Sequence, residues 1–297
     1  MEGKWAGLSP EEKREERFKK WLSPQGVEIT SSEAETLYKQ RVQRIIDAIK
    51  LKEPDKVPVH INMGFLPALY SGLTHESVMY DYEKMRYAWI KFINEFDLDD
   101  FDTFDAGGVL PGRVYDILDF KNHKWPGHGI PPNSMMQYIE GEYMKADEYE
   151  YFLEDPSDFQ MVVYLPRVMG MLKSFQKLPS FRDIGDSYFV HNLAMYGTPE
   201  VQAAFSALVE AGKEVIRWRK VVMELGEKVL AKGLPSFFAP LPGTPPEAPF
   251  DFIGNHHRGT IGIMTDMYRQ PDKLLEALEK VTQMTVRRVA SMADSTM

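Results

Sequence analysis

The stretch Leu51-Lys-Glu-Pro-Asp-Lys-Val-Pro-Val-His-Ile-Asn-Met-Gly64 separates a charged helical pattern from a short apolar one. Each of its two prolines lacks an amide donor and disfavours helix in the residue before it, so a helix is expected to end here. Three β-branched residues then recur at the period of a strand, namely Val57, Val59 and Ile61. The pattern predicts a strand that carries His60 and Asn62 on its other face.

Polar side chains at the end of this strand are our first candidate site. In parallel α/β folds, ligands bind at the carboxyl ends of the strands, which is where His60 and Asn62 would lie. A core histidine and a turn asparagine would give the same pattern. A second short strand is predicted within residues 96–108, where Asp105 is the acid nearest a glycine pair. We therefore predict His60, Asn62 and Asp105 as catalytic residues, although a run of aspartates is also typical of a solvated strand end.

Composition limits the classes of partner. The chain has 297 residues and a net charge of -9, which disfavours nucleic acid and anionic membranes and favours a small-molecule substrate. With 0 cysteines it can form neither a disulfide nor a thiolate metal site, which fits a reducing cytoplasm. Neither a long apolar run nor a secretory signal is evident. The sequence thus predicts a soluble cytoplasmic protein that could form a homo-oligomer.

Helical and strand-like patterns alternate along the chain, which is typical of the α/β class. Residues 1–32 predict a helical N-terminal extension, and residues 33–297 predict one barrel domain. Further helices are predicted to begin after residues that cap or open helices well, namely Ser32, Thr74, Thr198 and Gln270.

A second set of residues is predicted to bind substrate. Met63 and Phe65 belong to an apolar loop that could line a pocket, and Glu142 ends a strand-like segment, residues 136–144. A cationic cluster between glycines is suited to holding a carboxylate or phosphate, although a solvated turn would look the same; its members are His256, His257 and Arg258. No spacing of histidines indicates a metal site, so we assign no metal ligand.

Three passages, in this order, resemble uroporphyrinogen decarboxylase-like (URO-D) proteins over roughly residues 38–292. They are Glu53-Pro-Asp-Lys-Val-Pro-Val after a helix, Glu154-Asp-Pro-Ser-Asp-Phe, and Arg258-Gly-Thr-Ile-Gly-Ile-Met-Thr-Asp-Met-Tyr-Arg-Gln-Pro-Asp-Lys-Leu-Leu-Glu. The resemblance implies a (β/α)8 TIM barrel with its site at the carboxyl ends of the strands. Because the strand candidates are too few to close a barrel, we expect an incomplete barrel in a chain truncated at its C-terminal end.

The resemblance also implies a choice between two activities. Decarboxylases of this family carry an arginine-rich loop that meets the substrate carboxylates, whereas residues 62–70 contain no arginine. The better match is the methyltransferase branch, which moves a methyl group between a small methylated substrate and a corrinoid protein or thiol cofactor. Zinc in that branch is held by His and Cys on later strands, so zinc is expected only through residues beyond Met297. The alternatives are uroporphyrinogen decarboxylase itself and a non-catalytic corrinoid- or tetrapyrrole-binding protein or partial domain.

Overall fold

The computed structural model describes residues 5, 7–23, 29, 31–61, 63–101, 109–185, 187–236 and 246–295, and it is 69% helical. Numbered in chain order, the α-helices of the described residues are α1 (Pro10–Leu22), α2 (Ser32–Ile49), α3 (Leu66–Tyr70), α4 (His75–Tyr80), α5 (Tyr82–Glu95), α6 (Gly112–Leu118), α7 (Tyr149–Glu154), α8 (Pro156–Phe159), α9 (Leu165–Val168), α10 (Pro199–Leu230), α11 (Pro249–Asp251), α12 (Gly259–Arg269) and α13 (Pro271–Ser295). The π-helices are Gln160–Tyr164 and Phe252–Arg258, and the 3-10 helices are Gly170–Lys177, Phe181–Ile184 and Ser187–Gly197. None of the helices in these ranges has the length and apolar content that crossing a membrane requires.

The described residues contain one small sheet, formed by β1 (His123–Pro126), β2 (Gly129–Ile130) and β3 (Gln137–Tyr138) in the order β2-β1-β3. Strand β1 pairs in parallel with β2 and antiparallel with β3. A TIM barrel needs eight parallel strands, each followed by a helix. The predicted α/β fold class and its (β/α)8 barrel are therefore wrong, and the architecture is largely helical.

The segment predicted as the opening strand lies outside every helix and strand. The side chains of Val57 and Val59 are exposed, at 79% and 48%, so the β-branched residues do not pack against a sheet. The amide of Val59 donates to Oδ2 of Asp99 at 2.9 Å, which is a side chain rather than a neighbouring strand. The described part of the second predicted strand, residues 96–101, also contains no strand. Of the strand-like segment 136–144, only the two residues of β3 form a strand.

The chain forms two compact units, one of residues 1–111 and 216–240 and the other of residues 112–215 and 241–296. In the first unit, α1 packs on α2 through a cluster of buried side chains: Phe18, Tyr38, Val42 and Ile46. The hydroxyl of Tyr38 also donates to the carbonyl of Trp21 at 2.8 Å. The predicted N-terminal helix is thus present and shares the core of this unit, while the predicted domain boundary after residue 32 stays a prediction.

Short polar side chains set the helix starts of the first unit. Helix α2 is capped by Ser31 rather than by the predicted Ser32, because the Ser31 hydroxyl accepts from the amide of Ala34 at 3.1 Å. Thr74 caps α4 as predicted. The single helix expected after Thr74 is divided at Asp81, whose carboxylate caps α5. The predicted starts of α10 and α13 are confirmed, since both helices begin at the proline after the proposed cap.

The core of the second unit joins two parts of the chain that are distant in sequence. Its largest cluster contains buried side chains from residues 144–168 and from residues 253–281. The π-helix Phe252–Arg258 contributes Ile253 to this cluster and leads directly into α12. Turns of π-helix occur often at functional sites, because the extra residue in the turn changes the direction of the neighbouring side chains.

Candidate functional site

In the first unit, the imidazole of His60 lies against the carboxylate of Asp100, with Nδ1 2.6 Å from Oδ2. The imidazole is 42% exposed, whereas the carboxylate is only 3% exposed. An ionised carboxylate only accepts hydrogen bonds, so when Asp100 is ionised Nδ1 is the donor and Nε2 is the nitrogen left to accept a proton. A buried acid that orients an accessible imidazole is suited to general acid and base chemistry.

Hydrogen bonds from backbone amides hold the two segments that carry this pair. The residue before Asp100 is Asp99, and its Oδ2 accepts the amide of Val59, the residue before His60. On the other side of the pair, the amide of Phe101 donates to the carbonyl of Pro235 at 2.9 Å. The segment that contains the imidazole is therefore fixed by side chains and loops rather than by a sheet.

Arg44 of helix α2 lies beneath these segments and is 5% exposed. It contacts Asp99 through Nη1. It also holds Asp55 with two hydrogen bonds of 2.6 Å, from Nε to Oδ1 and from Nη2 to Oδ2. The hydrogen bonds with Asp55 raise the pKa of Arg44. The same contact with Arg44 holds the pKa of Asp55 far below its usual range.

A groove of about 320 Å³ runs beside Arg44, and its lining residues are Leu37, Gln40, Arg41, Arg44, Asp55, Lys56 and Asp97. Asp97 accepts from Arg41 at 3.2 Å and from Lys56 at 3.4 Å. Burial acts to raise the pKa of Asp97, but the hydrogen bonds from the two cations outweigh it, so this pKa is lowered. The cations of the groove are thus matched by carboxylates.

The remaining predicted residues of the first unit divide into two groups. Met63 and Phe65 are buried, and the ring of Phe65 stacks on that of His75 with centroids 4.2 Å apart. Asn62 and Asp105 lie outside the described residues. Of the three predicted catalytic residues, the structure therefore describes His60 alone, and its acidic neighbour is Asp100.

In the second unit, Arg258 forms a buried ion pair with Asp266, with Nε 2.5 Å from Oδ2 and both side chains 2% exposed. The hydroxyl of Tyr149 donates to the same Oδ2 at 2.8 Å. The predicted Glu142 lies beside this pair, with Oε1 3.1 Å from Nη1 of Arg258. Burial acts to raise the pKa of Asp266, but its hydrogen bonds outweigh burial and lower it. Arg258, which was predicted to hold a ligand carboxylate or phosphate, is therefore buried, with its charge neutralised by Asp266 inside the protein.

The two histidines of this cluster have opposite environments. His256 is partly exposed, and its Nε2 lies 2.9 Å from Oε2 of Glu247. His257 is buried among aromatic rings, with those of Tyr164 and Phe252 each 4.9 Å from its own. Burial lowers the pKa of His257 to about 4. Glu247 is 33% exposed, whereas Asp100 is 3% exposed. The carboxylate of the His60–Asp100 pair is therefore the more firmly held of the two.

The described residues do not form the ligand set of a zinc site, because no three His, Cys, Asp or Glu side chains among them are grouped to hold a metal ion. Zinc chemistry is accordingly assigned to none of them.

Sequence reasoning missed Asp100, Asp99 and Arg44. Asp99 and Asp100 belong to the same run of aspartates as Asp105, and the spacing of that run does not predict which aspartate faces His60. Arg44 was detectable as a cation within the apolar stripe of α2, because a buried cation requires a buried partner.

We compared the chain with known proteins at three levels, namely sequence families, curated proteins and solved structures. No protein-family model, curated protein or solved structure matches it.

Proposed function

We propose that the chain is an enzyme in which His60, oriented by Asp100, moves a proton while a methyl group passes between a small methylated substrate and a corrinoid protein or thiol cofactor. The observation that carries the proposal is the 2.6 Å contact between Nδ1 and the buried carboxylate. The resemblance of the three sequence passages supports the methyl transfer. Since the described residues form no barrel, the proposal rests on the pair itself and not on a strand end.

Methyl transfer needs a proton acceptor where a thiol gains the methyl group, and a proton donor where the oxygen or nitrogen that loses it would otherwise leave as an anion. When a thiol accepts the methyl group, its S–H proton must leave, and Nε2 of His60 is the nitrogen that accepts it. When an oxygen or nitrogen loses a methyl group, the electron pair of the broken bond stays on that atom, and the imidazolium returns a proton to it. A corrinoid, when bound by a partner protein, supplies the cobalt centre that exchanges the methyl group.

The carboxylate of Asp100 has two effects on this proton transfer. Its hydrogen bond favours the tautomer of His60 that carries the proton on Nδ1, in which Nε2 is the basic nitrogen. Its negative charge also stabilises the imidazolium that forms after proton uptake, and this stabilisation is strong because the acid is buried. General acid and base catalysis of this type contributes about 10²- to 10⁴-fold to a rate.

The proposal includes a cytoplasmic location, small-molecule substrates and the option of a homo-oligomer. The cysteine-free composition is typical of a reducing compartment. The net charge of -9 supports a partner other than nucleic acid or an anionic membrane.

The test is an anaerobic methyl-transfer assay with the full chain, reduced free cobalamin and separate donors that carry methyl on oxygen, nitrogen or sulfur. We expect the absorbance spectrum of the cobalamin to change to that of its methylated form with at least one donor class. A parallel assay follows coproporphyrinogen formation from uroporphyrinogen. Decarboxylation without methyl transfer would replace the proposal with the decarboxylase alternative, and binding of cobalamin without either reaction would replace it with the binding protein.

A further inference from the structure

We propose that Arg44 is a positioning residue that fixes His60 against Asp100 without touching either of them. This inference rests on the proposed function for its catalytic consequence. Its geometric part concerns the imidazole alone and can be tested without a substrate.

The first step of the argument is the connection through Asp99. One oxygen of this carboxylate contacts Nη1 of Arg44, and the other accepts the amide of Val59 at 2.9 Å. Val59 directly precedes His60, and Asp99 directly precedes Asp100. A single buried carboxylate, held by Arg44, therefore joins the backbone next to one member of the pair to the backbone next to the other.

The second step concerns Asp55, which lies near the start of the segment 53–61 that carries His60. Asp55 accepts two parallel hydrogen bonds from Arg44 and a third from Nε2 of Gln40 at 3.0 Å. Residues 53–61 have no helix or strand of their own. Because a planar guanidinium fixes a carboxylate in both distance and direction, Arg44 supplies the rigidity that a strand would otherwise provide.

The third step separates positioning from ligand binding. The side chain of Arg44 is 5% exposed, and its guanidinium already contacts Asp55 and Asp99, although it lines the groove. Each cation that lines the groove is also paired with a carboxylate: Arg41 with Asp97, Lys56 with Asp97 and the buried Asp99, and Arg44 with Asp55 and Asp99. The arrangement consequently favours an internal clamp over an anion site.

The experiment uses proton–nitrogen NMR of the full chain labelled at its 7 histidines. The hydrogen-bonded Nδ1 proton of His60 gives a far-downfield resonance, which is assigned by its loss in His60→Gln. We expect Arg44→Lys to abolish this resonance, because lysine keeps the positive charge but lacks the planar guanidinium that forms two parallel hydrogen bonds. In the methyl-transfer assay we expect kcat to fall roughly 10- to 100-fold with KM little changed.

Arg41→Lys is the matched control. Arg41 also belongs to α2 and holds Asp97 and the carbonyl of Gly233, with no contact to Asp99. We expect the resonance to persist in this variant. Asp55→Asn is the second variant, since Asp55 is partly exposed and its replacement leaves Asp99 paired; it should weaken the resonance even if Arg44→Lys does not fold.

The outcomes separate the two proposals. If the resonance depends on Arg44 and no donor is demethylated, the positioning role holds and the proposed function fails. If methyl transfer occurs and the resonance is the same in wild type, Arg44→Lys and Asp55→Asn, the positioning role is overturned. Circular dichroism of each variant confirms that the fold is retained before the spectra are compared.

Discussion

Nδ1 of His60 and Oδ2 of Asp100 lie 2.6 Å apart, although the two residues are separated by 40 positions in the sequence. Neither belongs to a helix or a strand, so the contact depends on loops held by side chains. Burying a carboxylate is costly unless it is paired, and here the imidazole is one of its partners. The contact therefore serves both the stability of the first unit and the proposed chemistry.

We expect Asp100→Asn to lower the methyl-transfer rate at least ~10-fold, because the amide removes the charge that stabilises the imidazolium. Residues that act as one unit show strongly non-additive effects. The double variant with His60→Gln should accordingly be no slower than His60→Gln alone. If the rate reduction in the double variant equals the product of the reductions in the two single variants, the two side chains act separately.

We expect Arg258→Met to destabilise the protein by about 3–5 kcal/mol, because it leaves the buried carboxylate of Asp266 without its cationic partner. The matched control is Lys273→Met, which breaks an exposed pair with Glu150 at 2.7 Å. That change should destabilise the protein far less, because a solvent-exposed ion pair contributes little to stability. Urea unfolding followed by circular dichroism measures both, and equal small effects would show that the Arg258 pair is not buried.

His257 predicts a pH dependence of stability. Its folded-state pKa is lowered to about 4 by burial, so the unfolded chain binds a proton near pH 6.5 and the folded protein does not. The stabilisation is complete above pH 6.5 and is lost as the pH falls from 6.5 towards 4, by about 3 kcal/mol in all.

The measurement is the urea midpoint between pH 7.5 and 4.5 in wild type, His257→Met and the control His256→Gln, whose imidazole is partly exposed. The change of the urea midpoint with pH should be smaller in His257→Met than in the other two proteins. If all three proteins show the same change, a group other than His257 causes the pH dependence.

Two glycines should respond oppositely to alanine. Gly233 follows α10 with φ +79°, and a Cβ there would contact the carbonyl of Ala34. We expect Gly233→Ala to destabilise by about 2 kcal/mol or more. Gly212 lies inside α10 with open space around it, so Gly212→Ala should stabilise by about 0.5–1 kcal/mol. Thermal unfolding compares the two variants, and a shift of the same sign in both would contradict this description of the backbone.

Helix starts were the part of the fold that could be predicted, because they depend on local bonds between a side chain and nearby amides. Thr74 accepts from the amide three residues later, and this signal is complete within one turn of chain. The strand predicted at Val57 and Val59 was wrong, because a strand needs a partner distant in sequence. Alternation over three residues cannot supply one.

The site was predictable in residue types rather than in pairings. The sequence indicated His60 and Asp105; the structure describes Asp100 beside His60, and Asp105 lies outside the described residues. Which acid meets the imidazole depends on how Arg44 and Asp99 join two loops, and that relationship is not encoded by spacing. The catalytic roles assigned to His60, Asn62 and Asp105 remain predictions.

The most direct test of the central claim is the single-turnover rate of methyl transfer in His60→Gln and in His128→Gln. His128 is a matched control, because its imidazole is 39% exposed and lies 3.4 Å from the carboxylate of Asp116, which is itself 39% exposed rather than buried. We predict a fall of about 100-fold or more in His60→Gln and a wild-type rate in His128→Gln. A wild-type rate in His60→Gln would contradict the account.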